Sequence, residues 1–119
     1  MTGCRGDERG SIAVLSTMVL VVAMALAYGV VRVGAAAALR TQAENAADAA
    51  ALAAADQLAL GHGAARAAAA ADDIARANGA RLVACDCEGS AAEVVVELVD
   101  TPPLLAFPAV EARARAEVG

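Results

Sequence analysis

The chain has no lysine and no tryptophan, a single histidine, and only Tyr28 and Phe107 as aromatic residues. Positive charge is also outweighed. From Arg32 onward twelve acids stand against seven arginines, which accounts for the whole formal charge of −5. That balance argues against nucleic acid or an anionic membrane face as the partner of the part beyond Arg32. His62 stands alone, and the cysteines are limited to Cys4, Cys85 and Cys87. The Cys-x-Cys pair therefore lacks the further ligands that a metal or redox site needs. There is no glycine-rich phosphate loop and no activated nucleophile, and no cofactor is expected. Asp72 and Asp73 are the nearest approach to catalytic carboxylates, but adjacent residues on a helix point apart and no base or nucleophile accompanies them. They read as a solvated face, and the protein as a non-enzyme. Alanine dominates what remains, so a small folded part buries little area per residue. Alone it is marginal, and it leans on a partner, on a helix or on a disulfide.

Charge is missing altogether from Ile12 to Val31, where only Ser16, Thr17 and Tyr28 carry polar side-chain atoms. Twenty helical residues rise about 30 Å, the thickness of a bilayer's hydrocarbon core, and a helix satisfies its own backbone there. Arg32 ends the run, with a side chain long enough to reach the headgroups. Proline is absent from Val33 to Leu60, so one helix is predicted from Ser11 to about Leu60. Before it, Met1–Gly10 forms a polar arm in which Arg5 and Arg9 are balanced by Asp7 and Glu8. Two arginines precede the span and two follow it, Arg32 and Arg40. The N-terminal amine tips the positive-inside rule toward a cytoplasmic arm and an extracytoplasmic remainder. The same start imitates a secretory signal, with Ala25-Leu26-Ala27 as a cleavage site. The apolar run is longer than a signal core and continues through Val30 and Val31, which favours a retained anchor. The alternatives are a small secreted binding module released near Ala27, or a generic single-span anchor.

Past the span, Leu39, Ala43, Ala46, Ala50, Ala53 and Ala54 share one stripe of the helix, with Arg40, Glu44, Asn45, Asp48 and Asp56 elsewhere. Arg40 and Glu44 attract at a spacing of four, whereas Glu44 and Asp48 repel. An alanine stripe lets a neighbouring backbone approach to near the short end of the roughly 8–10 Å interaxial range. Because the stripe begins near the membrane, above where a small sheet reaches, it is expected to meet a partner helix, a second copy of the chain included. Ala25 and Gly29 form a small-x-x-x-small pair within the span.

Gly61-His62-Gly63 breaks the helix, and His62 reads as a solvated loop residue. A second helix follows over Ala64–Asn78, with Ala67, Ala70, Ala71 and Ile74 on one face, Asp72 paired to Arg76, and Asn78-Gly79 as its left-handed stop. Arg81–Cys85 reads as a strand and Asp86–Ser90 as a turn. Glu93–Val99 is the next strand, with Val94, Val96 and Leu98 on one face. Pro102, Pro103 and Pro108 hold an extended crossing in which Leu104, Leu105 and Phe107 either close the sheet's open end or form a docking patch. Val110–Val118 alternates strictly and makes a third strand with one wet face; a helix is its alternative. The fold class is α+β: a long N-terminal helix, a short helix and a three-stranded, mainly antiparallel sheet packed on the alanine stripes. The domains are an arm at 1–10, the span with its stalk at 11–60, and a small α/β domain at 61–119. A membrane separates Cys4 from the other cysteines. A Cys85–Cys87 bond closes a very short, strained ring that a turn permits; the other readings are a bond across a dimer, or idle thiols.

The segment Arg40-Thr-Gln42-Ala-Glu-Asn45-Ala-Ala-Asp48-Ala-Ala-Ala-Leu52-Ala-Ala-Ala55, directly after an N-terminal span, resembles the signature of TadE/TadG-like proteins. Glu8-Arg9-Gly10-Ser11-Ile-Ala-Val14 is similar to the start of that group. Ala77-Asn78-Gly79-Ala-Arg81-Leu-Val-Ala-Cys85 resembles its short branch in high-GC Gram-positive bacteria. The resemblance implies a pilin-like, non-enzymatic membrane component of the Flp/Tad pilus and secretion machinery, with other pilin-like or secretion-system subunits as partners and Gln42, Asn45, Asp48 and Leu52 as motif residues. Gly10 and Ser11 sit where a prepilin peptidase cuts, but the position that carries Glu in such substrates is Leu15 here. Relatives also place a cysteine in the second helix, and Ala64–Asn78 has none.

Overall fold

A computed structural model of the chain describes residues 2–99 and 109–118, with side chains from residue 9 onward. The expected proline-held crossing with Leu104, Leu105 and Phe107 lies outside the described residues. The first element, α1, runs Thr2–Ala59 over 58 residues. It thus begins nine residues before the predicted start at Ser11, since no proline interrupts the polar arm. By contacts the chain divides into Met1–Ala35 and Ala36–Gly119, so residues 36–59 of α1 group with the elements that follow them.

In the first unit the apolar side chains find nothing to pack on. Every large hydrophobic residue from Ile12 to Val33 is more than half exposed, and α1 has the length and composition to cross a membrane.

The second unit is built on the rest of α1. Its C-terminus closes with a Schellman arrangement: Gly61 N donates to Leu58 O and His62 N to Gln57 O, with Gly61 at φ 74°. Glycine takes that left-handed conformation without steric cost. Helix α2 spans Ala64–Ala77 and buries Ala67, Ala71 and Ala75; Ala70 and Ile74, expected on that face, are half-buried at its edge. Asp72 and Arg76 pair at 2.7 Å.

Three strands follow, β1 (Ala80–Glu88), β2 (Ala91–Leu98) and β3 (Glu111–Glu117), as an antiparallel meander in that order. Two expectations about β1 are corrected. The strand does not end at Cys85, and Asp86–Ser90 is not all turn: pairing continues to Glu88 opposite Ala91, and Gly89-Ser90 makes the hairpin. The register also slips between Leu82 and Ala84, so that Val83 bulges. A bulge reverses the inward and outward alternation. Ala80 and Leu82 point inward before it, and Cys85 and Cys87 after it, opposite the buried Val94 and Ala92. Strand β2 follows its apolar period: Ala92, Val94, Val96 and Leu98 are buried. In β3 Ala112 and Ala114 are buried between exposed Glu111, Arg113 and Arg115, which makes this segment a strand and sets the helical alternative aside.

One core joins these elements. It takes Ala43, Ala46, Ala47, Ala50, Ala51, Ala54 and Ala55 from α1, the alanines of α2, and the inward residues of the sheet. Among the described residues, Val94 and Val96 are the largest fully buried side chains. Side chains this small bring helix and sheet backbones close together, and burial is shared among many small contacts. The outer face of the sheet is charged and cross-paired: Arg81 with Glu97 at 3.0 Å, Arg113 with Glu93 at 3.4 Å. Such exposed pairs add little stability but keep the face wet.

Candidate functional site

The candidate residues divide between the two faces of α1. Of the packing stripe, Ala43, Ala46 and Ala50 are fully buried inside the chain's own core, and Leu39 and Ala53 are half-buried at its margin. The expectation that this stripe meets a partner helix or a second copy is corrected. The sheet and α2 already occupy the face, and nothing further fits there while the domain is folded. Sequence reasoning missed Ala47, Ala51 and Ala55, which extend the buried stripe on the side of Glu44. In an alanine-rich helix the period of the small residues alone does not fix the width of the buried face.

The motif residues lie elsewhere. Asn45, Asp48 and Leu52 do not share the environment of the stripe: all three are exposed on the solvent side of α1, Leu52 at 65%. Thr41 and Asp56 continue the solvent side of α1 opposite the core. Gln42 is different: its Nε2 donates to the carbonyl of Asn78 at 3.4 Å, tying α1 to the turn between α2 and β1. Gly79 follows, at φ 73°, and a Cβ there would sit 3.1 Å from Gln42 Nε2. Glycine is favoured at this position by its backbone conformation, and a larger residue would also make the Gln42 amide shift. The signal in the sequence was Asn78-Gly79, legible as a helix stop but not as the seat of a motif side chain. Arg40 and Glu44 pair at 2.9 Å on the flank.

Cys85 and Cys87 are joined by a disulfide, with Cα atoms 5.4 Å apart. Residues two apart on a strand share a face, so both sulfurs start from the same side of β1. The bond lies in the strand, not in a turn. Gly10 and Ser11 are exposed within α1, as is Leu15. Ala25 and Gly29 are also exposed, with open space where a Gly29 side chain would be. His62 Nδ1 lies 2.8 Å from Gln57 Oε1 in the α1–α2 turn. Among the described residues no three His, Cys, Asp or Glu side chains come together as a metal site. A shallow groove on α1 is lined by Ala13, Val14, Thr17, Met18, Val21 and Val22, without an ionisable group.

These features define a class: an α+β protein whose long apolar N-terminal helix fits a membrane anchor, and whose folded part is built on an alanine core. Residues 10–57 match the family model described as putative Flp pilus-assembly TadE/G-like. The match supports involvement in Flp pilus assembly and suggests a structural role. No curated protein and no solved structure matches the chain.

Proposed function

We propose that the chain is a pilin-like, membrane-anchored and non-enzymatic subunit of a Flp/Tad-type pilus assembly or secretion system. Residues 12–31 cross the membrane once, the N-terminal arm is cytoplasmic, and the α+β domain stands outside the cytoplasm among other subunits of the machinery. The observation that carries this reading is the coincidence of the family match with the exposed apolar half of α1: residues 10–57 contain both the span and the outward motif residues. A side chain such as Leu52, exposed on the side of α1 opposite the alanine core, suits contact with another subunit.

Two measurements test it. Protease added outside intact spheroplasts is expected to digest the α+β domain and spare the arm; protection of the domain reverses the orientation. A tagged chain is expected to co-isolate with the pilus or with the secretion ATPase complex, and Leu52→Asp to weaken that association without lowering the chain's own level. Isolation of the tagged chain alone, at native abundance, contradicts membership of the assembly.

A further inference from the structure

The Cys85–Cys87 bond is left unused by the anchor and assembly readings. Its Cα atoms lie 5.4 Å apart, an ordinary spacing for a disulfide. Two residues of an extended strand rise about 6.6 Å. The bond therefore holds β1 short by about 1.2 Å at Asp86, and the strand, not the disulfide, gives way. Pairing nonetheless runs through the site: Cys85 stands opposite Val94, Asp86 opposite Glu93 and Cys87 opposite Ala92. The ladder to β2 keeps both sulfurs on one face whether or not they are joined, and opening the bond lets the strand return to full extension. The two cysteines differ in access. Cys87 is 3% exposed, whereas Cys85, on an edge strand of the sheet, is half-buried at the margin of the core.

We propose that Cys85–Cys87 is a thiol–disulfide exchange site that passes its bond to a cysteine pair of another protein. A disulfide is opened by a thiolate, which attacks one sulfur and expels the other. The incoming thiolate reaches Cys85 Sγ, a new S–S bond forms there, and Cys87 leaves as a thiolate that takes a proton from water. The second thiolate of the incoming pair then attacks the first one's sulfur and expels Cys85 in the same way. Two electrons pass from the incoming dithiol to Cys85–Cys87, so the substrate ends as a disulfide and this chain as a dithiol. Exchange needs the two sulfurs and the thiolate alone; the ligands that a metal would need play no part in it. The direction follows from the backbone. The oxidised form holds a shortened strand, the reduced form does not, and constrained disulfides are the oxidising ones. Asp86 and Glu88 are exposed on either side of Cys87, so the substrate pair belongs to a basic segment, which those carboxylates attract. This chemistry rests on neither the anchor nor the assembly reading.

The test uses the full chain in detergent with Cys4→Ser, which leaves Cys85 and Cys87 as its cysteines, and two kinds of probe peptide. The first, Arg-Ala-Cys-Ala-Arg, carries one thiol. After a quench with N-ethylmaleimide, fragment masses are expected to place the peptide on Cys85 and the maleimide on Cys87, with the circular dichroism of the chain unchanged. Adducts shared equally between the two sulfurs, or formed only in urea, overturn the site, because the bond is then a clasp opened by unfolding. A version with glutamate in place of arginine is expected to react about threefold more slowly at low salt; equal rates overturn the basic segment. The second probe, Arg-Cys-Asp-Cys-Arg, closes the same covalent ring with no strand around it. When the reduced peptide is mixed with an equal amount of oxidised chain, most of it is expected to end oxidised, with one protein dithiol formed per peptide disulfide. A peptide that stays mostly reduced overturns the direction of transfer. Both probes act on unaltered Cys85 and Cys87, so no result depends on how a variant of the site folds.

Discussion

Residues 12–33 and residues 43–55 lie on the same helix, yet they treat their apolar side chains in opposite ways. Fourteen large hydrophobic side chains from Ile12 to Val33 are at least 56% exposed, while seven alanines from Ala43 to Ala55 are at most 7% exposed. Valine, leucine and methionine stand where the chain offers them no partner; alanine stands where it offers a sheet and a second helix. Size explains the second arrangement. Only a small side chain admits a β-sheet at short range, and among the described residues Val94 and Val96 are the largest fully buried groups in that core. The first arrangement is stable in a medium that is itself apolar, because there the exposed groups carry no hydration penalty and the helix needs no tertiary bond. Hydrophobicity alone does not report burial, then; side-chain volume separates the part of α1 that faces lipid, under the proposed reading, from the part that faces protein.

The strongest way to break this contrast is to put a charge in the first region. Val22→Arg, at the middle of the apolar run, is expected to oppose insertion by about 2.5–3.5 kcal/mol. Membrane retention then falls while the folded domain keeps its circular dichroism. Unchanged retention would mean that lipid does not surround this half.

Next is volume in the second region. Ala50→Leu forces side chains into a filled core at a cost of about 1–3 kcal/mol, which lowers the melting temperature of the detergent-solubilised chain by roughly 5–20 °C. Leu52→Ala, two residues away on the exposed side, is expected to change stability by less than about 0.5 kcal/mol. Calorimetry of the two variants sharpens the comparison; similar shifts for both would erase the distinction between the faces.

A smaller effect is expected at the turn. Gly79→Ala strains a left-handed residue by about 1–2 kcal/mol and crowds the amide of Gln42. Urea unfolding measures it, and Gln42→Ala in the same background is expected to recover part of the loss by removing the clash. Smallest is the disulfide. A ring of three residues removes little chain entropy, so reduction of Cys85–Cys87 is expected to cost about 1.6 kcal/mol or less by the loop-closure relation. The check is a pair of melts with and without reductant.

Much of the fold is legible in the residues. The α+β class, both helices and the three antiparallel strands follow from the charge-free run, from Gly61-His62-Gly63, and from the period-two alternation of Val94, Val96 and Leu98 and of Ala112 and Ala114. What resists reading has a common cause. Asp86-Cys87-Glu88-Gly89-Ser90 has the composition of a turn, yet pairing with β2 carries the strand through Glu88, because a ladder continues as long as its partner offers hydrogen bonds. The bulge at Val83 leaves no mark in composition, although it decides that Cys85 and Cys87 share the inward face. On α1 the direction of the stripe is visible from the charges at Arg40, Glu44, Asp48 and Asp56. What covers it is not, since the same alanines suit a neighbouring subunit and the chain's own sheet. The motif residues Asn45, Asp48 and Leu52 come from a family resemblance; no spacing rule separates them from the ordinary polar side of a helix.

The central claim is that the exposed half of α1 is a retained membrane anchor. It is met most directly by alkaline extraction of membranes from cells that produce the untagged chain, followed by intact mass of the protein in each fraction. The account predicts that the chain stays with the membranes and that its mass includes residues 12–31, whether the N-terminus is Met1 or Ser11. A chain released into the alkaline supernatant, or one whose mass begins at Tyr28, would contradict it.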